Sequence, residues 1–327
     1  MGKKDTLTKE YMSRNDIFAD IFNYVLYGGN PVIEASELID KDITEIALPF
    51  GKDGELVPIQ RYRDILKGYI SKESPDSIYV LLGVESQSEV HYAMPVKNLL
   101  YDALNYASQV TQKTAEYRKT RKIHRDNEGK DLSSFQETKA EFLSGFHKED
   151  KLKPVITVTV YFGTDEWDAP RNLREMFHPR HDNLIHCLPD YPITLIAPKE
   201  ITNFDQFQSE FGKLMHIIKV SENQEDMNRL LSDPQAGYFD ISQSATEILN
   251  AFIGISFDTP EKEEPMNLCK AWEDQKKSGI KEGHEAGVDE TRKSVALQMQ
   301  KEGFSEDMIA KILQIPVSNV KKLLSSQ

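Results

Sequence analysis

One strand constrains the fold of this chain more than any other stretch. Tyr79-Val80-Leu81-Leu82-Gly83-Val84 is apolar on both of the faces that a strand presents in alternation, and it runs directly into Glu85-Ser86-Gln87. Such a strand belongs inside a sheet covered on both sides. The segments around it fit. From Ser13 to Gly28, residues Ile17, Phe18, Ile21, Phe22, Val25 and Leu26 repeat at the spacing of one helical face, and Gly28-Gly29-Asn30-Pro31 ends the helix. Three extended segments follow: Ile43 to Phe50, a run around Val57 to Leu66, and Ile78 to Gln87. Breaks at Gly51-Lys52-Asp53-Gly54 and Ser74-Pro75-Asp76 make them a meander. Helical spacing returns from Ala93 to Val110 through Val96, Leu100, Ala103, Leu104 and Ala107. The β-branched stretch Pro154 to Phe162 predicts a further strand, and Ile193 to Ala197 a short one. A strand placed after that helix joins the sheet through a helical crossover, so the sequence predicts an α/β fold with a mixed sheet flanked by helices.

Composition narrows what such a fold can serve. The 327 residues include 53 acids against 40 Lys and Arg, a formal net charge of −13, which excludes a generally basic coat for nucleic acid. At 39% hydrophobic residues the chain can pack a core, and its length suits roughly two domains. No window approaches the ~18 apolar residues of a membrane span, and Met1 to Glu10 lacks the apolar stretch of a secretory signal, so a soluble, cytoplasmic protein with no membrane partner is expected. Cys187 and Cys269 stand far apart and are expected to be free thiols.

Beyond Asn203 the pattern is helical, near Phe207 to Val220, Met227 to Leu231 and Ile241 to Ile255, forming either a lobe or a cover. Thr259 to Pro265, with Glu261, Glu263 and Glu264 between prolines, reads as a linker. In the tail, Gly279, Gly283 and Gly287 recur every four residues; each costs a helix up to ~1 kcal/mol, so a weakly ordered or partner-supported segment is expected. The end reads as two short helices with Ser305 and Ser318 as N-caps. Ala310, Ile315 and Val320 fit a helix-turn-helix, and homo-oligomerisation through this tail fits as well. The organisation expected is a core over 1–200, a helical extension over 201–258, and a linker with helical tail over 259–327.

Chemistry concentrates where the central strand ends. Glu85 and Gln87 share a face, and a carboxylate at the end of a buried strand is costly unless it is bonded, paired or bound to a cation. Asp64, in Tyr62-Arg63-Asp64-Ile65-Leu66, converges on Glu85 if the two strands form a hairpin, giving an oxygen-rich site for Mg²⁺. Two strand-end acids facing solvent fit the spacing equally. Lys113 to Lys130 carries seven basic residues, among them Arg118, Lys119, Arg121 and Lys122, against three acids; this is either a DNA-facing insert or an exposed helix end. His178, His181, His186 and Cys187 match no standard zinc spacing. Trp167 reads as a packing residue.

Asn15-Asp16 with Phe18, then Tyr62-Arg63-Asp64-Ile65-Leu66, Gly83-Val84-Glu85-Ser86-Gln87-Ser88, Met94-Pro95-Val96-Lys97 with Tyr101, and Lys153-Pro154-Val155-Ile156 through Tyr161-Phe162-Gly163 to Trp167, in that order, resemble the PD-(D/E)XK nuclease family transposases. These are also called the Rpn, or recombination-promoting nuclease, family, and include the YhgA-like transposases. The likeness spans about residues 12 to 200. It implies a restriction-endonuclease-like core and a divalent-metal-dependent DNA endonuclease associated with recombination or a mobile element. Asp64 and Glu85 would hold Mg²⁺ or Mn²⁺, and Gln87 would stand where the superfamily has lysine. Glutamine brings no positive charge to the scissile phosphate, although its amide can orient water or a phosphate oxygen. Asp16 or Asp20 would complete the metal shell, with capping of the first helix the other reading of Asp16. Lys97 would contact phosphate, or else lie on a solvated helix face. A non-catalytic DNA-binding or regulatory protein with a degenerate nuclease core is the alternative.

Overall fold

The computed structural model describes residues 2–42, 44–47, 59–62, 64–70, 78–126, 137–178, 187–232, 240–254, 257 and 266–325. The chain divides into two compact units, Met1–Ala236 with Ile241–Met266, and Gly237–Asp240 with Asn267–Gln327.

The first unit opens with helices α1 (Lys3–Ser13) and α2 (Asn15–Tyr27), joined at Arg14. Gly28 ends α2 in the left-handed region at φ 62°, and Gly29 follows at φ 90°. At Gly29 a side chain would also collide with the chain, because an added Cβ would lie 2.3 Å from the Gln206 carbonyl oxygen. Strands β1 (Leu38–Asp40), β2 (Thr44–Ala47), β3 (Ile59–Tyr62), β4 (Ile65–Ile70) and β5 (Ile78–Gln87) precede the long helix α3 (Met94–Asp126). A short helix α4 (Lys139–Ser144), strand β6 (Val155–Tyr161) and strand β7 (Thr194–Ile196) complete the layer structure.

The sheet order is β1-β4-β5-β6-β7. The β1–β4 and β4–β5 pairs are antiparallel, and the β5–β6 and β6–β7 pairs are parallel. This is the mixed α/β sheet that the sequence predicts, with β5 at its centre. Two details differ. The described part of the first expected strand, Thr44–Ala47, leaves the sheet to pair with Ile59–Tyr62 as a separate ribbon, so the run around Val57 to Leu66 divides between two sheets. Leu38–Asp40 takes the edge instead, and its Asp40 meets Lys67 of β4 at 2.5 Å. Lys67 is buried, and its ammonium also donates to Asn15 Oδ1 at 2.7 Å, so Asn15 binds α2 to the sheet. The expected turns at 51–54 and 74–76 and the linker at 259–265 lie outside the described residues.

Helix α3 runs on past Val110 to Asp126 because α4 and the turn after it give its outer half something to pack on. Thr114 donates to the Gly145 carbonyl at 2.9 Å, and Tyr117 stacks on His147 with ring centroids 3.6 Å apart. Helices α5 (Glu210–Val220), α6 (Gln224–Leu231) and α7 (Gln243–Ile253) form a cover rather than a lobe. Phe162, at the end of β6, lies within 6.5 Å of Phe211 and 5.6 Å of Phe252 by ring centroids. Arg14 reaches Glu210 at 2.6 Å and Ser242 at 3.2 Å, tying the α1–α2 elbow to the starts of α5 and α7.

The second unit holds α8 (Leu268–Lys301), α9 (Glu306–Leu313) and α10 (Val317–Ser325). Ala296, Ile309, Ala310 and Val320 are buried together, with Phe304, Leu313 and Ile315 packed around them. Ser305 caps α9, while Ser318 falls inside the first turn of α10 rather than before it. Gln314 makes the turn between these helices in the left-handed region at φ 55°. Of the two expectations for this segment, weak order is not what is seen: α8 is one unbroken helix through Gly279, Gly283 and Gly287. The Asn267 side chain caps its first turn, and same-helix pairs such as Glu273–Lys277 at 3.7 Å support it.

Candidate functional site

Strand β5 carries its polar end between two helical layers. In the β4–β5 hairpin the last pair is Ile65 with Val84, so Asp64, just before β4, lies beside the Glu85–Ser86 stretch of β5. Asp64 Oδ2 accepts the Ser86 N–H at 2.9 Å. Glu85 is 1% exposed, and its Oε2 lies 3.0 Å from the Lys97 ammonium on the first turns of α3. A charge so deeply placed requires such a partner. Gln87, two residues on and nearly buried, donates from Nε2 to the Ser86 carbonyl at 2.6 Å.

The wall facing Glu85 is polar although buried. Thr159, the register partner of Glu85 on β6, accepts from Asn98 Nδ2 at 3.0 Å. Asn98 Oδ1 has no hydrogen-bond partner among the described residues. Further along, Thr157 donates to Asp102 Oδ1 at 2.7 Å, and Tyr191 donates to the other oxygen of that carboxylate. Asn98, Asp102, Asn105 and Gln109 follow each other at steps of four, three and four, so they form one stripe of α3 turned to the sheet. That spacing was the signal by which these residues could have been found. An apolar pattern hides them, because the search for a core follows Val96, Leu100 and Leu104.

Other expected site residues are placed elsewhere. The Asp16 carboxylate is held by Arg14 at 2.7 Å; partial burial would raise its pKa, but the hydrogen bond and charge of Arg14 outweigh that and lower it. Asp20 is buried and accepts from the Gln208 and Ser209 backbone N–H groups, each at 2.9 Å, fastening the start of α5. Among the described residues no group of three or more His, Cys, Asp or Glu side chains is assembled to hold a metal ion. Lys97 turns to Glu85 instead of a solvated face. Arg118, Lys119 and Lys122 are exposed on the outer half of α3, whereas Arg121 is turned inward, 4.7 Å over the Phe142 ring and 3.6 Å from Glu137. Trp167 packs edge-on against Tyr161 at 5.4 Å, as a core residue should. His181 and His186 lie outside the described residues, and neither Cys187 nor Cys269 forms a disulfide with a described residue.

The electrostatics are graded along this end of the sheet. His91, before α3, has its pKa lowered by burial first and then by the Lys97 charge, so it is neutral at neutral pH. The Tyr161 phenol is pushed up to about 12, by burial and then by Asp165 and Glu89.

A family model described as "Putative transposase, YhgA-like" matches residues 135–245. This is the family that the sequence motifs resemble, and the match associates the chain with mobile elements. The matched stretch runs from before α4 through β6 and β7 into α7, whereas Asp64, Glu85, Gln87 and Lys97 precede it. No curated protein and no solved structure matches the chain. No helix among the described residues is long and apolar enough to cross a membrane.

Proposed function

We propose that this chain is a divalent-metal-dependent DNA endonuclease that hydrolyses backbone phosphodiesters in the movement or recombination of a mobile element. The observation that supports the reading is the β4–β5 hairpin, whose last pair Ile65–Val84 and whose bond from the Ser86 N–H to Asp64 bring that acid beside the Glu85 end of a buried strand. Asp64 and Glu85, with amide oxygens of Gln87 and Asn98 nearby on the same sheet face and on α3, make a hard-oxygen donor set suited to Mg²⁺ or Mn²⁺. Bound there, the ion would activate water and offset charge at a phosphate. Gln87 orients water or a phosphate oxygen through its amide. Lys97 supplies the cationic charge that Gln87 does not, from the helix instead of the strand. Asp16 and Asp20 are committed to Arg14 and to the start of α5, which leaves Asn98 and water to fill the shell.

Supercoiled plasmid with Mg²⁺ or Mn²⁺ tests the reading. Nicking is expected, ending on addition of chelator and absent in Glu85→Gln. Intact plasmid under both metals, or undiminished nicking by the variant, removes the proposal. A non-catalytic DNA-binding or regulatory protein is the second reading, favoured by the fact that Lys97 pairs with Glu85 and the Ser86 N–H bonds to Asp64. Its signature is metal-independent DNA binding that Glu85→Gln leaves unchanged.

A further inference from the structure

A cleft of about 440 Å³ opens on the same sheet face as Glu85, further back along the hairpin, from the Leu66–Gly83 pair to Leu81. Its floor is Leu66 and Leu81, both nearly buried, and Leu81 lies four residues before Glu85, roughly 13 Å along a strand. Around that floor stand Lys41, Lys113, Lys151 and Lys153, with Asp42 and Glu116 the acids among the described lining residues. Glu116 is taken by Lys113 at 3.0 Å. The side chains of Lys41, Lys151 and Lys153 are in no ion pair with any described residue.

The gathering is unusual for this chain, whose net charge is −13 and in which acids are the commoner neighbours. Three ammonium groups that face one cleft without an ion pair to any described residue repel each other, and an anion between them removes that cost. The position of Lys153 is also built. Gln109 accepts the Lys153 backbone N–H at 2.8 Å and donates to its carbonyl at 3.1 Å, while Asn105 holds Gln109 at 2.9 Å. The half-buried Gln109 amide, held by Asn105, thus fixes the segment that carries Lys151 and Lys153.

We infer that this cleft is a phosphate-binding site, separate from the Asp64–Glu85 site and independent of any nuclease activity. Its ligand is a group bearing phosphoryl oxygens, supplied by a small phosphorylated molecule or by a nucleic-acid backbone. The test uses the full chain and a Lys41→Ala, Lys151→Ala, Lys153→Ala triple variant, checked for folding by circular dichroism. Pyrophosphate binding is measured by calorimetry, and binding of a labelled DNA duplex by anisotropy over a salt series. A charge-matched control replaces exposed Lys3, Lys139 and Lys148 with alanine.

A tenfold or greater loss of pyrophosphate affinity in the cleft variant alone supports the site with a small ligand. A similar loss for the duplex alone, with the salt slope reduced by about 2 to 3, supports it with a nucleic-acid backbone. Unchanged affinity for both probes, or an equal loss in the control variant, overturns the inference. Glu85→Gln is expected to leave pyrophosphate binding in the absence of metal as it is; loss there places the anion at the other site and also overturns the inference.

Discussion

Removing the ammonium of Lys97 takes away a cation 3.0 Å from the Glu85 carboxylate, whose side chain is 1% exposed. Breaking such a pair from one side costs about 3 kcal/mol, far more than an exposed pair would. Lys97→Ala is therefore expected to lower unfolding free energy by about that amount, and combining it with Glu85→Gln should recover most of the loss. Urea denaturation of the four members of the cycle measures it; additive effects would mean the two side chains do not act as a pair. The same lysine depresses the His91 pKa, second to burial. Lys97→Gln should raise that pKa, as read from the imidazole signals in an NMR titration, and an unmoved or lowered value would contradict the geometry. At this scale the sequence disclosed the acids but not their partners. Glu85 announced itself by ending an apolar strand, while Lys97 and Asn98 became neighbours of it only through the packing of α3, a long-range fact that no local spacing carries.

Two helices show how elements respond to their surroundings. At Gly279, Gly283 and Gly287 an added Cβ would meet nothing within 4 Å, and α8 is continuous there. Each Gly→Ala substitution should then stabilise α8 by up to ~1 kcal/mol, visible as increased helicity and a higher melting temperature. A fall at any of the three would mean that something packs against that face. Propensity misjudged this segment because caps and same-helix ion pairs act over the whole helix, whereas glycine cost was weighed position by position. In α4, Glu141 accepts from the Thr138 N–H and hydroxyl and from the Lys148 N–H, which hold its pKa down at about 2. A depressed carboxyl stabilises the fold above its ordinary value of 4.5, and that contribution is lost as pH falls through about 2. Thr138→Ala should move the Glu141 titration upward toward 4.5 in NMR; no movement would assign the shift to another cause. Helices α2, α3 and α5 to α7 and strands β5, β6 and β7 were legible because their side-chain periods are long or strongly biased, whereas the polar α1 and the short α4 gave no such period. The edge strand was not legible either, since Leu38–Asp40 is three residues long and owes its place to Lys67.

At the scale of the whole molecule, the candidate site belongs to the first unit, and the helices from Asn267 onward form their own buried cluster. A chain ending at Met266 is expected to unfold cooperatively and to keep the Lys97–Glu85 coupling. Sedimentation of both lengths then tests whether the terminal helices pair chains: a shift to monomer on truncation assigns them that role, and an unchanged coefficient denies it. Failure of the short chain to fold would make the tail part of the core.

Ser86 has neighbours on both sides of its strand. Its N–H meets Asp64, and its hydroxyl donates to Thr8 of α1 at 2.6 Å. Thr8 in turn is anchored within its own helix, with its hydroxyl 3.1 Å from the Lys4 carbonyl. The first helix is thereby part of the foundation under the polar end of β5. A purification tag that tilts α1 would be transmitted to Asp64 through one serine, and preparations differing only at the N-terminus would differ in behaviour at a site more than fifty residues away.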